Sequence, residues 1–194
     1  MSKHFLDIQK GYFVASEKNK VNNVNLKIED QGQIVSLLGP SGIGKTTILR
    51  TIAGLQKLSN GKILLKGKIL ASDKIHVEPE KRNIALSFQD NSLFPHYNVI
   101  DNINFGSKRK SQSKYELAAD ELIDILHLNN LQNKFPHQIS AGEAQRVSLA
   151  RSLISKPDLL LVDEPFSNID FSLKGELQSN IKKLLKKLSI TTIM

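Results

Sequence analysis

The chain has 194 residues, 40% hydrophobic and 24% charged, which is enough material for about one domain with a sizeable core. It has no cysteine, so disulfide and thiol chemistry are excluded, which suits the cytoplasm; no apolar run reaches the ~18 residues needed to cross a bilayer, and the first ten residues lack the apolar stretch of a secretory signal. The net charge of +8 admits a nucleic-acid or membrane-surface partner, but the lysines are scattered without a basic block or an aromatic-interleaved stripe, so a solvated surface is the favoured reading and no nucleic-acid partner is expected.

Phe5 to Ile8 and Val24 to Ile28 alternate apolar and polar residues, the pattern of strands in a small antiparallel sheet. Gln33 to Leu38 reads as a short buried strand that runs into Gly39, Pro40, Ser41, Gly42, Ile43, Gly44, Lys45, Thr46 and Thr47. That run fits G-x-x-x-x-G-K-[ST], and Ile48 to Ala53 begins a helix after it, completing a strand–loop–helix. Glycines let the loop curl so that backbone N–H groups meet phosphate oxygens at the positive end of the helix. Lys45 would reach the β- and γ-phosphates and the Thr46 hydroxyl would ligate Mg²⁺, so the run implies a nucleoside-triphosphate site.

Ile63 to Leu65 and Lys68 to Leu70 flank Gly67 as a hairpin or strand pair, and Ile84 to Phe88 is an apolar strand leading into Gln89. Tyr115 to Leu128 places apolar residues at 115, 118, 122, 125 and 126, a helical spacing that suggests a helical subdomain inserted between two strands of the core. Ala144 to Ile154 is again helical, and Pro157 stops it before the strand Asp158 to Val162. Positions 177, 181, 184, 185 and 188 mark a last helix with lysines on its other face; cover for a parallel sheet is favoured over membrane binding. Leu159 to Val162 ends in Asp163 and Glu164, at the edge where open α/β sheets bind ligands. Asp163 would hold Mg²⁺ directly or through water, and Glu164 would polarise a water in line with the γ-phosphate. Alone, a strand ending in two acids fits a helix cap as well; beside a phosphate loop it points to the second half of a site.

Ile139, Ser140, Ala141, Gly142, Glu143, Ala144, Gln145 and Arg146 resemble the signature of ABC ATPases. Phe88, Gln89 and Asp90 resemble that family's Q-loop, and Ser167, Asn168, Ile169 and Asp170 its D-loop, in the family's order, from about residue 5 to the end. The resemblance implies an α/β fold: a P-loop NTPase core of mostly parallel sheet flanked by helices. An N-terminal antiparallel β subdomain (1–32 and about 60–83) and an inserted helical subdomain (about 92–150) would complete it. It implies that two cassettes pair head to tail, each ATP lying between one chain's phosphate loop and the other's Ser140, Ala141, Gly142 and Glu143. Gln89 would contact Mg²⁺ or the attacking water and report occupancy to a permease, and Asp170 would sit at the dimer seam. Tyr12 is the candidate for stacking on adenine; Phe13 could serve instead, and packing within the sheet is the plain alternative.

Within the family, Val77 to Asn83 and Phe88 to His96 resemble importer ATPases, with ferric-iron importers nearest and polyamine, sulfate and sugar importers as neighbours. This implies a peripheral subunit on the cytoplasmic face of the inner membrane, with permease subunits as partners and a solute-binding protein indirectly involved; any iron is handled by those partners. Phe94 and Tyr97 are pocket walls for a permease helix or core of the helical subdomain, and His96 is a surface or capping residue rather than a metal ligand. Departures from the family are Ala141 for glycine, Glu143 for glutamine and Asn168-Ile169 for Ala-Leu. The sequence also stops before the histidine that would pair with Glu164, and His127 and His137 are not read as substitutes. The expectation is an ATPase domain incomplete at its C-terminal side, with Ile190 to Met194 as a poorly covered strand, exposed apolar surface and slow or absent hydrolysis. Two alternatives remain: a non-transport ABC ATPase, and a P-loop kinase, which the signature and the lack of an evident lid argue against.

Overall fold

Alternation along the N-terminal strands decides the first layer. The computed structural model describes residues 4–14, 20–88, 92–107, 117–169 and 171–194. Strand β1 (Leu6–Val14) turns Leu6, Ile8 and Phe13 inward, each at most 1% exposed. It pairs antiparallel with β2 (Lys20–Ile28), Leu6 opposite Ile28 and Phe13 opposite Val21. After β3 (Ile34–Val35) and helix α1 (Lys45–Ala53), β4 (Asn60–Leu65) takes the other edge of β1, and β5 (Lys68–Ser72) returns through the turn at Lys66 and Gly67. The sheet order is β2-β1-β4-β5.

The second sheet is parallel. Strand β6 (Ile84–Ser87) pairs with β7 (Leu159–Val162), β7 with β8 (Thr191–Ile193), and β8 with β3, giving β3-β8-β7-β6. Every residue of β7 is buried, which is what a sheet covered on both faces requires. Leu159 and Leu161 join a cluster with α1 and the antiparallel sheet. Leu160 and Val162 join the opposite cluster, with α2 (Val99–Ser107), α3 (Ala119–Ile125), α4 (Ala141–Ile154) and α5 (Phe171–Lys187).

The strands of the antiparallel sheet run longer than the sequence expectation, and four further segments differ from it. The strand over Gln33 to Leu38 is regular only at Ile34–Val35, because the chain must turn into the phosphate loop; the amide of Leu37 adds one bond to the Met194 carbonyl (2.6 Å), and Leu38 is 91% exposed. The helix expected from Tyr115 begins at Ala119 among the described residues, and its buried face is Leu122, Ile123 and Leu126. Helix α4 begins three residues earlier than the apolar spacing indicated, because Ser140 caps it. The C-terminal strand is a correction of substance. Thr191, Thr192 and Ile193 lie between β3 and β7 with no exposed surface, so this strand is an inner member of the sheet, not a poorly covered one.

Candidate functional site

Helix α1 opens at Lys45 because Gly44 holds φ 107°, a conformation that costs a side-chain-bearing residue, and a Cβ there would meet Val21 Cγ2 at 2.3 Å. The residue at the head of α1 therefore brings no capping side chain, and the first backbone N–H groups are left for an anion. Lys45 folds back over its own loop, its Nζ donating to the carbonyls of Gly39 (2.7 Å) and Pro40 (3.1 Å). One residue on, the Thr46 hydroxyl donates to Asp163 Oδ2 at 2.7 Å. Asp163 is 8% exposed at the carboxyl end of β7. A buried carboxylate and a hydroxyl held at bonding distance are hard oxygen donors, and they fit a Mg²⁺ ion that would replace the proton bridging them.

Glu164 follows with φ 52°, an uncommon region for a residue with a side chain, and it is exposed. The strain is held by α4: Gln145 Nε2 donates to the Glu164 carbonyl (2.8 Å) and to Ser167 Oγ (3.4 Å), while Gln145 Oε1 accepts from the Asn168 amide (3.3 Å). Lys45, Asp163 and Glu164 line one cavity of about 470 Å³ whose other walls include Ile34, Leu37, Leu49, Ile181, Leu185 and Met194. Ammonium, buried acid and exposed acid thus share a single space.

Residues 140–143 take no part in that cavity. Ser140 caps α4, its Oγ accepting from the Glu143 amide (3.2 Å), while the Glu143 carboxylate accepts from the Ser140 amide (2.7 Å). That reciprocal bond is the main cause of a Glu143 carboxyl pKa below its ordinary value. The negative charge of Glu143 is therefore turned onto its own helix start, a role that Ser-x-x-Glu announces and that the comparison with glutamine obscured. Ser140 and Ala141 are exposed, and Gly142 lies so close to the loop after Glu164 that a Cβ would meet the Asn168 carbonyl oxygen at 2.4 Å.

Phe13 is fully buried, so it packs the core and is not a second candidate for the base; Tyr12, opposite Asn60, is half-buried. Gln89, Asp90 and Asp170 lie outside the described residues. Just past the Q-loop, Phe94 packs its ring on Phe105 (centroids 4.5 Å) and edge-on to Tyr97 (5.6 Å), with the Arg151 guanidinium 5.1 Å over its face. Asn102, fully buried, holds this segment through bonds to the Phe94 amide and to the carbonyls of Phe94, Tyr97 and Asn98. Phe94 and Tyr97 are half-buried and Phe105 is 40% exposed, so the aromatic cluster reaches the surface. His96 is exposed beside Tyr97, His127 pairs with Glu176 at 3.3 Å, and His137 stacks on Phe135. Sequence reasoning named Gln145 only as part of the signature and did not single out Asn102; the bonds that each makes depend on groups brought near by the tertiary fold.

A phosphate loop opening a helix, beside a buried acid at the end of a parallel strand, defines a P-loop nucleotide-binding domain. The chain belongs to the ABC transporter family, whose profile matches residues 21–167. It is 44% identical over 175 residues to the spermidine/putrescine import ATP-binding protein of Nitrosospira multiformis, covering 89% of this chain and 47% of that one. It is 40% identical over 193 residues to the Fe(3+) ions import ATP-binding protein of Escherichia coli, covering 98% and 54%. The trehalose/maltose import ATP-binding protein of Thermococcus litoralis is 41% identical, with 93% and 49% covered. The chain thus spans about half the length of the curated relatives it matches. In fold it resembles the ATP-binding cassette MJ0796, solved as a dimer bound to ADP and Pi: TM-score 0.80, 24% identity, 97% of this chain and 86% of that one. It also resembles cbiO1 of Clostridium perfringens, part of an ABC transporter complex: TM-score 0.77, 25% identity, 99% and 78% covered.

Proposed function

We propose that this chain is the ATP-binding and ATP-hydrolysing part of an importer, driving transport through ATP-dependent pairing of two cassettes. The observation that carries the reading is the Thr46–Asp163 hydrogen bond, which joins the phosphate loop to the acidic strand at the point where Mg²⁺ and the β- and γ-phosphates would meet. ATP would lie along the head of α1, Lys45 would leave the Gly39 and Pro40 carbonyls for the phosphates, and Thr46 and Asp163, with Gln89, would hold Mg²⁺. Glu164 activates water from the same cavity. Ser140 and Gly142 present the head of α4 to the γ-phosphate of a partner cassette, a second copy or a homologous chain. Asp170 is assigned to that seam and Tyr12 to stacking on adenine.

The aromatic surface around Phe94, Tyr97 and Phe105 receives a permease helix, placing the chain at the cytoplasmic face of the membrane as a peripheral subunit. Among the described residues no helix is long and apolar enough to cross a membrane. Ferric iron is the proposed cargo, supported by a relative of that name aligned over 98% of the chain, although polyamine and sugar importers match at similar identity. The import names of these relatives favour this reading over a non-transport ABC ATPase.

The test uses light scattering on the purified chain carrying Glu164→Gln, which slows hydrolysis, with and without MgATP. The expected result is a dimer only with MgATP, abolished when Lys45→Ala is added. A monomer that holds MgATP, or a dimer indifferent to nucleotide, would refute the pairing mechanism.

A further inference from the structure

We propose that Arg82 is a positioning residue for the phosphate site, fixing the far end of α1 so that Lys45 and Thr46 stand where a metal-bound triphosphate needs them. The proposal rests on the nucleotide-binding reading above.

Arg82 is the largest fully buried side chain, 1% exposed, in the segment that leads into β6. Its guanidinium donates to four backbone carbonyls: Nε to Val77 (2.7 Å), Nη1 to Thr51 (2.9 Å) and Ile52 (2.7 Å), and Nη2 to Leu70 (3.1 Å). Burial pushes its pKa down to about 10, so it is still a cation at neutral pH. An apolar side chain could fill the same volume without the desolvation of a charge, so the cation is there for what it bonds. Thr51 and Ile52 belong to the last turn of α1, where the helix dipole is negative, and the Thr51 carbonyl also accepts from the Gly54 amide (3.1 Å). Leu70 belongs to β5 in the antiparallel sheet. One planar fork therefore joins the phosphate helix, the antiparallel sheet and the start of β6, the strand paired with the one that ends at Asp163.

The helix C-cap confirms how closely the fork is seated. Gly54 holds φ 89°, and a Cβ there would meet Arg82 Nε at 2.7 Å and Cζ at 2.9 Å. With nine residues, α1 is a rod about 13 Å long, so a tilt of about 5° at the Arg82 end moves its head by about 1 Å. The Thr46–Asp163 contact, at 2.7 Å, has no room for that displacement. Arg82 touches no phosphate, and its effect is transmitted along α1.

The experiment measures ATP binding by calorimetry with Mg²⁺ and with a chelator, for the wild type, Arg82→Gln, Arg82→Lys and Gly54→Ala, each well below its own unfolding temperature. The readout is the factor by which Mg²⁺ tightens ATP, because loss of fold stability alone leaves that factor unchanged. Arg82→Gln is expected to lose about tenfold in MgATP affinity and most of the Mg²⁺ factor. Arg82→Lys, which keeps the charge and loses the fork, is expected to fall between Gln and wild type, and Gly54→Ala to reproduce the loss without altering Arg82. If Arg82→Gln does not fold, the Lys and Gly54 variants decide. Folded variants with the wild-type Mg²⁺ factor would overturn the proposal and leave Arg82 a stabilising residue only. A wild-type chain that does not bind ATP would overturn the nucleotide reading itself, a distinct outcome.

Discussion

Gly142 and Gly175 both sit in helices, α4 and α5, and replacing either by alanine brings an intrinsic gain in helix propensity of at most about 0.5–1 kcal/mol, smaller at Gly142, the second residue of α4. Their surroundings are opposite. A Cβ on Gly175 meets nothing within 4 Å, so Gly175→Ala is expected to keep the full gain and raise the unfolding temperature by about 1–4 °C. A Cβ on Gly142 meets the Asn168 carbonyl oxygen at 2.4 Å, and the backbone there must retreat by more than half an ångström to restore ordinary contact. Overpacking of that kind costs about 1–3 kcal/mol, and the retreating segment also carries the bond from Gln145 to the Asn168 amide. Gly142→Ala is therefore expected to lose about 1–2 kcal/mol net and to melt about 2–8 °C lower. Differential scanning calorimetry of the two variants beside the wild type gives the answer. Shifts of the same sign would refute the packing argument and leave helix propensity as the whole effect.

Two further tests concern the head of α4. Because the Ser140 amide holds the Glu143 carboxyl pKa below its ordinary 4.5, the carboxylate contributes stability that is present above that value and lost as pH falls through the lower folded value. Glu143→Gln, which keeps the reciprocal cap but not the charge, should melt below the wild type at neutral pH and converge with it in acid; a gap that stays constant with pH would exclude the carboxylate as its cause. Gln145→Ala removes three hydrogen bonds to the loop after Glu164 and is expected to cost about 1–3 kcal/mol in urea unfolding, with an unchanged midpoint counting against Gln145 as the tie.

The backbone of the candidate site was legible because such a loop needs particular residues: the glycines and Lys45–Thr46 declare a loop and helix head within nine residues, and Asp163 stands at the end of an all-apolar strand. Glu143 was read by comparison with glutamine, and its bond to Ser140 went unnoticed, although Ser-x-x-Glu states it in four letters. Gln145, Asn102 and Arg82 were not legible as ties, since each works by reaching backbone carbonyls or amides brought near only by the tertiary fold. The same holds for the last strand. A run of Ile-Thr-Thr-Ile reads as strand, but its place between β3 and β7 is a matter of sheet order, which no local pattern encodes.

That place orders the events of synthesis. The antiparallel sheet draws all four of its strands from residues 6–72 and can assemble while the rest of the chain is still being made. The parallel sheet cannot, because β3 pairs with β8 far along the chain; the bond from the Gly32 amide to the Thr191 hydroxyl spans 159 residues. Closing so long a loop is slow, and until it closes, the apolar edge of β7 and the buried face of α5 wait without their neighbour. Until β8 is made, a growing chain therefore carries a finished antiparallel sheet beside an unclosed parallel one. The candidate site becomes a single object only when Ile193 is free to enter between Val35 and Leu161.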